Sequence, residues 1–342
     1  MAKLLVVMKE EPKDISVVIP VFNEAESLPE LYSKLKEVLS SLQVTYEIIF
    51  VDDGSYDRSF VILQQLSEQD SKVVVVRFRR NFGKSAALAA GFDLANGEII
   101  VTLDGDLQDS PEEIPRLIKK VHEGYDLVNG WKSPRRDPLS KTIPSRVFNI
   151  VTAKLTGVPL HDVNCGFKAY RKEMLQGIRV YGELHRYLSV LAHARGYRVS
   201  EIKVQHYPRT YGKSKFGLER YIRGFLDLLT IKLLTTYSRR PLHLFGSFGL
   251  LTAMLGSLIT LYLVMGHFWY LMSGDSSFSL YQTRPVLTFA VLMITIGLNF
   301  VFTGLIAELI ISLGVYQKED KPYSIQCVLH QGKSTTLCTN HS

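Results

Sequence analysis

The run Val101-Thr-Leu-Asp104-Gly-Asp106-Leu-Gln108-Asp109 is an apolar strand that ends in three carboxylates. Asp104 and Asp106 are two residues apart, so on extended backbone their side chains would point the same way. Two carboxylates on one side of a strand end can hold a hard divalent cation and leave positions free for phosphate oxygens. A diphosphate leaving group needs that arrangement, because the charge that builds up on it must be neutralised. An Asp-x-Asp alone is weak evidence, since most such pairs are solvated turn residues. The surrounding elements strengthen it.

Residues ~14–200 alternate short apolar runs with amphipathic stretches, the pattern of an α/β domain with a largely parallel sheet. Ile15–Pro20, Tyr46–Val51, Val73–Arg77 and Glu98–Leu103 read as strands, and Glu26–Ser40, Asp57–Glu68, Lys84–Ala95 and Pro111–Glu123 as helices. The last helix carries a start signal, with Ser110 as N-cap, Pro111 at the first position and Glu113 completing a capping box. Asn23 and Glu24 follow the first strand, Asp52 and Asp53 the second, Arg80 and Asn81 the third, and Asp104 and Asp106 the fourth. Ligands of open α/β sheets bind outside the carboxyl ends of the strands. Four successive strands delivering polar groups to one edge therefore predict a site there. No G-x-G-x-x-G follows the first strand, which argues against a dinucleotide fold.

The apolar residues are unevenly spread over the 342-residue chain. Leu242–Met272 and Pro285–Val315 carry almost no charge, and each is long enough to cross a bilayer, for which ~20 residues suffice. Two transmembrane helices are expected. Met1–Asp14 carries charges early and reads as a tail or first strand, with no signal peptide. Arg239 and Arg240 precede the first span, and Lys318 and Lys321 follow the second. The loop Ser273–Arg284 holds one basic residue. The basic bias predicts both termini in the cytoplasm. The net charge is +7, and residues 200–240 hold nine Lys or Arg against three Asp or Glu. The basic excess lies beside the membrane, where anionic head groups sit. No basic module for nucleic acid is evident. Cys165, Cys327 and Cys338 have unrelated spacings, which suggest neither disulfides nor zinc and fit a reduced compartment.

In Phe216–Leu234 the residues Leu218, Tyr221, Ile222, Phe225, Leu226, Leu229 and Leu233 recur at helical spacing, with Glu219, Arg220, Arg223 and Asp227 opposite. Such a helix either lies in the membrane interface or packs on the soluble domain, and the adjoining span favours the interface. Glu308 and Asn299 fall inside the second span, where a contact between helices or subunits is a simpler reading than a transport role. His267 reads as interfacial.

Val18-Ile-Pro20-Val-Phe22-Asn23-Glu24, Val51-Asp52-Asp53-Gly54-Ser55 and Asp104-Gly-Asp106-Leu-Gln108-Asp109 occur in that order at strand ends. Asp162-Val-Asn164-Cys-Gly166-Phe167-Lys168 and Arg209-Thr-Tyr-Gly212-Lys-Ser214-Lys215 follow. The set resembles the family 2 glycosyltransferases of GT-A fold. Within them it is similar to the dolichyl-phosphate mannosyltransferase group and to bacterial bactoprenol glucosyltransferases. The resemblance runs to residue ~315. Each motif is loose by itself, but five in order are specific.

The resemblance implies an α/β fold of GT-A type: a Rossmann-like, mostly parallel catalytic domain over 1–215, then an interface helix over 216–240. A two-helix transmembrane hairpin over 241–316 and a cytoplasmic tail over 317–342, partly disordered, would follow. It implies a nucleotide sugar across the first four strand ends, with Pro20, Phe22, Glu24 and Asp53 at the base and ribose. An acidic side chain suits the donors of a ribose or base. Asp52 or Asp53 could instead cap the following helix, and Pro20 could simply end its strand. Asp104 would lie by the ribose and metal, Asp106 would bind Mg²⁺ or Mn²⁺ bridging the diphosphate, and Gln108 would assist the metal. Asp109 would face the sugar or acceptor. Arg80 and Lys84 flank a helix N-terminus, which favours anions, so they either hold the diphosphate or are exposed surface.

The implied acceptor is a polyprenyl phosphate. It is already an anion near neutral pH, so it needs alignment and counter-charge more than a base. Arg209, Ser214 and Lys215 are assigned to the acceptor phosphate or a closing loop. Arg135, Arg136 and Arg146 lie in a polar stretch, with the first two read as surface or lipid-facing charges. Asp162 holds the position linked to the acceptor or a base-like role, and the reaction would invert the anomeric centre. UDP-glucose is the expected donor on resemblance alone, with GDP-mannose, UDP-galactose and modified sugars open. A homo-oligomer, with a tetramer favoured, is implied. Two other readings are weighed. A processive synthase would carry Gln-x-x-Arg-Trp, and neither Trp131 nor Trp269 lies in such a motif. A membrane-tethered sensor would not need the intact carboxylate set.

Overall fold

A computed structural model describes residues 12–133, 149–176, 178, 180–208, 219–233, 235, 241–273, 284–312, 325–330 and 333–334. Two compact units emerge, one from Met1–Ile231 with Lys321–Ser342, the other from Lys232–Asp320.

The first unit is built on β1 (Lys13–Val21), β2 (Tyr46–Asp52), β3 (Val73–Phe78) and β4 (Gly97–Thr102). They run parallel in the order β4-β1-β2-β3. Their residues are almost all buried, as expected for strands covered on both faces. Helices α1 (Leu28–Ser41), α2 (Ser59–Gln69) and α3 (Lys84–Leu94) make the crossovers. Leu28, Leu31, Leu35 and Leu39 of α1 bury one stripe at helical spacing against β1 and β2. The second core lies on the other face, where the small residues Ala86, Ala87 and Ala90 let α3 pack onto Val18, Ile49 and Val76. Beyond β4 the sheet continues through β6 (Lys168–Arg171), antiparallel to β4, then β5 (Leu127–Lys132) and β7 (Val199–Val204). Helices α4 (Ile114–His122), α5 (residues 149–156), α6 (Lys172–Gln176) and α7 (Leu188–Ala194) complete the unit, and α8 (Glu219–Lys232) begins at its end.

Two expectations are corrected. Strand β4 ends at Thr102, so Asp104 and Asp106 lie in the turn after the strand, and no pleat aligns them. The capping box at Ser110 does not form. Ser110 Oγ meets the Glu112 carboxylate, Glu113 pairs with Arg116, and the segment opens with a 3₁₀ turn over Pro111–Glu113. Within the tail, β8 (Ile325–His330) pairs antiparallel with β3, and β9 (Lys333–Ser334) pairs with β8. The open backbone of β3 is what makes so short a run a strand, and β8 covers that edge.

In the second unit, α9 (Pro241–Ser273) and α10 (Arg284–Ser312) form a hairpin. Spans of 33 and 27 residues have mean hydropathies of 2.0 and 2.2, and only 17% of each apolar window is buried. Helices buried inside a soluble core would not leave such surface bare, so this is a membrane protein. Small residues carry the packing. A Cβ on Gly256 would fall 2.6 Å from the Ala290 carbonyl, and one on Gly297 2.6 Å from the Gly249 carbonyl. Glu308 Oε2 accepts the N–H of Leu242 at 3.4 Å, so the carboxylate serves the α9 N-terminus, the interhelical contact expected of it. Asn299 instead donates to the Thr295 carbonyl of its own helix at 3.0 Å.

Candidate active site

The polar residues collect where the strand order reverses, at the carboxyl ends of β1 and β4. Ser27, just before α1, bolts the two ends together, with its hydroxyl 2.6 Å from the Gly105 carbonyl and 2.9 Å from that of Glu24. The loop after β1 is tied to the loop after β2: Asn23 N–H donates to Ser55 Oγ at 3.0 Å, Tyr56 N–H to Asn23 Oδ1 at 2.8 Å, and Glu24 N–H to Ser59 Oγ at 3.0 Å. Pro20, Phe22 and Glu24 are half-buried on this edge, and Phe22 meets Tyr56 edge-on at 6.1 Å.

Neither Asp52 nor Asp53 caps α2, whose first turn is served by Asp57 accepting from Ser59 N–H at 2.9 Å. Asp52 accepts from Ser55 N–H at 3.0 Å and closes the Gly54 turn. Gly54 is required there: its φ is +72°, and a Cβ would lie 2.8 Å from Arg80 Cα. Asp53 accepts from Phe82 N–H at 2.7 Å and Gly83 N–H at 2.9 Å, so it shapes the loop leading into α3. Burial pushes its carboxyl up to about 6, in spite of those two bonds. Arg80 is exposed, its guanidinium 4.6 Å from the Phe82 ring, whereas Lys84 opens α3 and turns inward.

Lys84 Nζ is paired with Asp104 Oδ1. Burial opposes charge on Asp104, but Lys84 and Lys132 outweigh it and hold the carboxyl below its usual value. Asp106 is half-buried and accepts from Gln108 N–H at 3.3 Å. Leu107 between them has φ +57°, unusual for a residue with a side chain and characteristic of strained functional turns. Gln108 holds the chain at Tyr207: its carbonyl accepts the Tyr207 N–H at 2.9 Å and its Nε2 donates to the Tyr207 carbonyl at 3.4 Å. Asp109, expected to face sugar or acceptor, is instead 1% exposed and 2.8 Å from Lys132 Nζ. A carboxylate this deep needs a counter-charge, and Lys132 supplies it.

Asp162 is buried. Its carbonyl accepts from Asn129 Nδ2 at 2.7 Å and from Cys165 N–H at 3.2 Å. The loop it begins is pinned from below by Lys168, whose Nζ donates to the Val163 carbonyl at 2.9 Å and to Ser189 Oγ at 3.1 Å. Burial pushes Lys168 down to about 8 and the Cys165 thiol up to about 12. That loop brings Gly166 against the ion pair, where a Cβ would sit 2.9 Å from Asp104 Oδ1 and 3.0 Å from Lys84 Nζ.

The structure therefore gathers Pro20, Phe22, Glu24, Asp53, Lys84, Asp104, Asp106, Gln108 and Asp109 on one edge. Arg135, Arg136, Arg146, Arg209, Ser214 and Lys215 lie outside the described residues. Sequence reading missed two members. Lys132 ends β5, which runs parallel to β4, so the rule that found the others would have found it had β5 been recognised. His185 precedes α7 and carries no sequence signal. Its Nδ1 lies 2.7 Å from Ser85 Oγ, and burial with Lys84 and Arg186 holds it well below its ordinary value, so the ring is neutral.

Among the described residues no three His, Cys, Asp or Glu side chains converge on a point that could hold a metal ion. Two half-buried acids in one turn, beside a lysine and a helix N-terminus, form half a site, which an anionic ligand would complete. The family model for glycosyl transferase family 2 matches residues 16–179. Dodecaprenyl-phosphate galacturonate synthase of Rhizobium johnstonii is 36% identical over 87% of this chain and 87% of its own. The chain belongs to glycosyltransferase family 2. Undecaprenyl-phosphate 4-deoxy-4-formamido-L-arabinose transferase of Serratia proteamaculans is 40% identical, over 88% of this chain and 89% of its own. These alignments are longer than the first unit up to Ile231 and so extend into the apolar hairpin. Glucosyl-3-phosphoglycerate synthase from Mycobacterium tuberculosis, solved with Mn²⁺, UDP and phosphoglyceric acid, superposes with a TM-score of 0.51. At 19% identity over 65% of this chain and 78% of its own, it shows the shared GT-A fold. This glycosyltransferase thus carries the GT-A core, with Asp53 just after β2 and Asp104 and Asp106 in the turn after β4.

Proposed function

We propose that this glycosyltransferase moves one sugar from a nucleoside diphosphate to a polyprenyl phosphate at the cytoplasmic face of the membrane. One observation carries the reading: relatives named for that acceptor align across the catalytic unit and into the apolar hairpin. The half-buried Asp104 and Asp106, in the turn at the sheet's switch point, support it. The basic bias around the spans supports a cytoplasmic catalytic unit. Leu226 and Leu229 of α8, and Leu233 just after it, are exposed while Leu228 is buried, so the helix keeps an apolar stripe available to a bilayer.

The donor set fits a hard divalent cation. Asp104 and Asp106 offer carboxylate oxygens, and Gln108 offers an amide oxygen. Mg²⁺ or Mn²⁺ held there with the diphosphate would neutralise charge on the leaving group. Lys84 and the α3 N-terminus supply the same sign of charge from the protein itself. The acceptor phosphate attacks the anomeric carbon from the face opposite the diphosphate, which inverts the configuration. Because the acceptor is already ionised, the protein's work is alignment and charge compensation. Buried Asp162 orients the loop at Gly166, and Arg209, Ser214 and Lys215 are assigned to the acceptor phosphate.

The relatives are named for galacturonate and for 4-deoxy-4-formamido-L-arabinose, and neither name gives glucose. The expectation of UDP-glucose rests on resemblance alone, so the test offers several sugars. Purified protein in liposomes with Mg²⁺ and undecaprenyl phosphate is given radiolabelled UDP-glucose, UDP-galacturonate, UDP-4-formamido-arabinose and GDP-mannose in turn. Label in the organic phase from one donor establishes the reaction and its sugar. Label from none, with nucleotide sugars still bound, overturns the acceptor assignment.

A further inference from the structure

We infer that His185 is a neutral hydrogen-bond donor to the diphosphate of the nucleotide sugar, with Ser85 as the residue that fixes its tautomer. The inference deepens the donor half of the proposed function and rests on it.

Ser85 is 3% exposed, in the first turn of α3. Its Oγ makes two contacts, both to His185: the backbone N–H donates to it at 3.3 Å, and Nδ1 lies 2.7 Å away. The first uses Oγ as an acceptor. A buried hydroxyl proton needs an acceptor of its own, and among the described residues Nδ1 is the one it has. Ser85 therefore donates to Nδ1, and the imidazole proton resides on Nε2. Nε2 bonds to no described residue, on a half-buried ring within Coulombic reach of Lys84 and Asp104.

Three further donors belong to the helix start that His185 is bonded to. The backbone N–H groups of Lys84 and Ser85 lie at the α3 N-terminus, where Gly83 O already takes the N–H of Ala86 and Ala87. Lys84 adds its ammonium. An imidazole donor, two helix N-terminal amides and an ammonium beside an acidic turn match an anion with several acceptor oxygens. A sugar hydroxyl would not need so many donors. Two sequence-distant elements, α3 and the turn before α7, are joined through the Ser85–His185 bond to build the cradle.

The experiment compares binding of UDP and UMP, with GDP and GMP alongside, to the full-length wild type and to His185→Ala, His185→Gln and Ser85→Ala by calorimetry. UMP keeps the base, the ribose and the α-phosphate and lacks only the β-phosphate, so a hydrogen bond from Nε2 to the β-phosphate shows as a loss for UDP that UMP does not share. Loss of one hydrogen bond to a charged group should weaken UDP binding in His185→Ala by about tenfold or more and leave UMP within about twofold. Glutamine, which can place an N–H near Nε2, should recover part of that loss. Ser85→Ala should lose less than His185→Ala, with the same bias toward the diphosphate. Equal losses for UDP and UMP, no loss, or no recovery by glutamine would overturn the inference. A wild type that binds UDP but gives no lipid-linked sugar would overturn the acceptor reading and leave the UDP-against-UMP comparison intact.

Discussion

Lys84 and Asp104 meet as an ion pair between the first residue of α3 and the turn after β4, each side chain about one-third exposed. The pair joins the strand end that carries the acids to the helix end that favours anions. It gives Asp104 a counter-charge before any ligand arrives. Lys84→Met should therefore raise the KM for donor and cut kcat/KM by about 100-fold, the usual scale for removing a preorganised charge. The KM for polyprenyl phosphate should stay near the wild-type value. Steady-state kinetics with each substrate varied in turn would check this, and a loss confined to the acceptor would place Lys84 on the wrong side of the reaction.

Asp106 lies beyond the end of β4 and is half-buried, so the core does not depend on it. Asp106→Ala should lower turnover by about 100-fold or more while the melting temperature stays within a few degrees. Normal turnover with Mg²⁺ or Mn²⁺ present would remove the metal assignment.

Gly166 is closed in by Asp104 and Lys84 at 2.9 and 3.0 Å from where a Cβ would stand. Those neighbours are ends of side chains, so they can shift without unfolding the loop, but the ion pair cannot keep its geometry. Gly166→Ala should cost catalysis far more than stability, the latter by about 1 kcal/mol. Parallel measurement of kcat/KM and thermal unfolding separates the two. Equal losses would mean that the loop itself had collapsed.

The buried carboxyl of Asp53 titrates at about 6 in the fold, against 3.8 for the free group. Between those values the folded protein binds a proton that the unfolded chain does not. Its contribution to stability is thus full at low pH and is lost as pH rises through about 6, by about 3 kcal/mol if it acts alone. Burial raises Asp52 too, with the same sign. Melting curves from pH 4 to 7 should show Asp53→Asn with a flatter pH dependence than the wild type. A steeper one would reverse the assigned sign.

Glu308 accepts from the Leu242 N–H at the start of α9. Glu308→Ala should destabilise the hairpin in detergent by about 1 kcal/mol, the scale of a helix cap, and leave transfer per folded molecule unchanged. A selective loss of transfer would revive the transport reading.

Much of this protein was determined by local sequence alone. Strands β1 to β4 and the two apolar helices followed from unbroken apolar runs, and helices α1 to α3 from the amphipathic stretches between the strands, because burial on both faces or exposure to lipid selects apolar side chains throughout an element. Asp53, Asp104 and Asp106 were legible because each follows an apolar run. The tertiary structure decided what those residues touch. Asp53 looked like a ligand group and spends both oxygens on the backbone of Phe82 and Gly83. Asp109, expected to face the sugar or acceptor, is buried against Lys132. Lys132, His185 and Gly166 come to the site from strands and turns after β4, whose antiparallel and irregular connections carry no fixed spacing. The strand at Ile325–His330 exists because β3 had an open edge. Periodicity records which face of an element is buried. Pairings between residues distant in sequence are recorded nowhere in the local pattern, and only the folded chain brings them within hydrogen-bond distance.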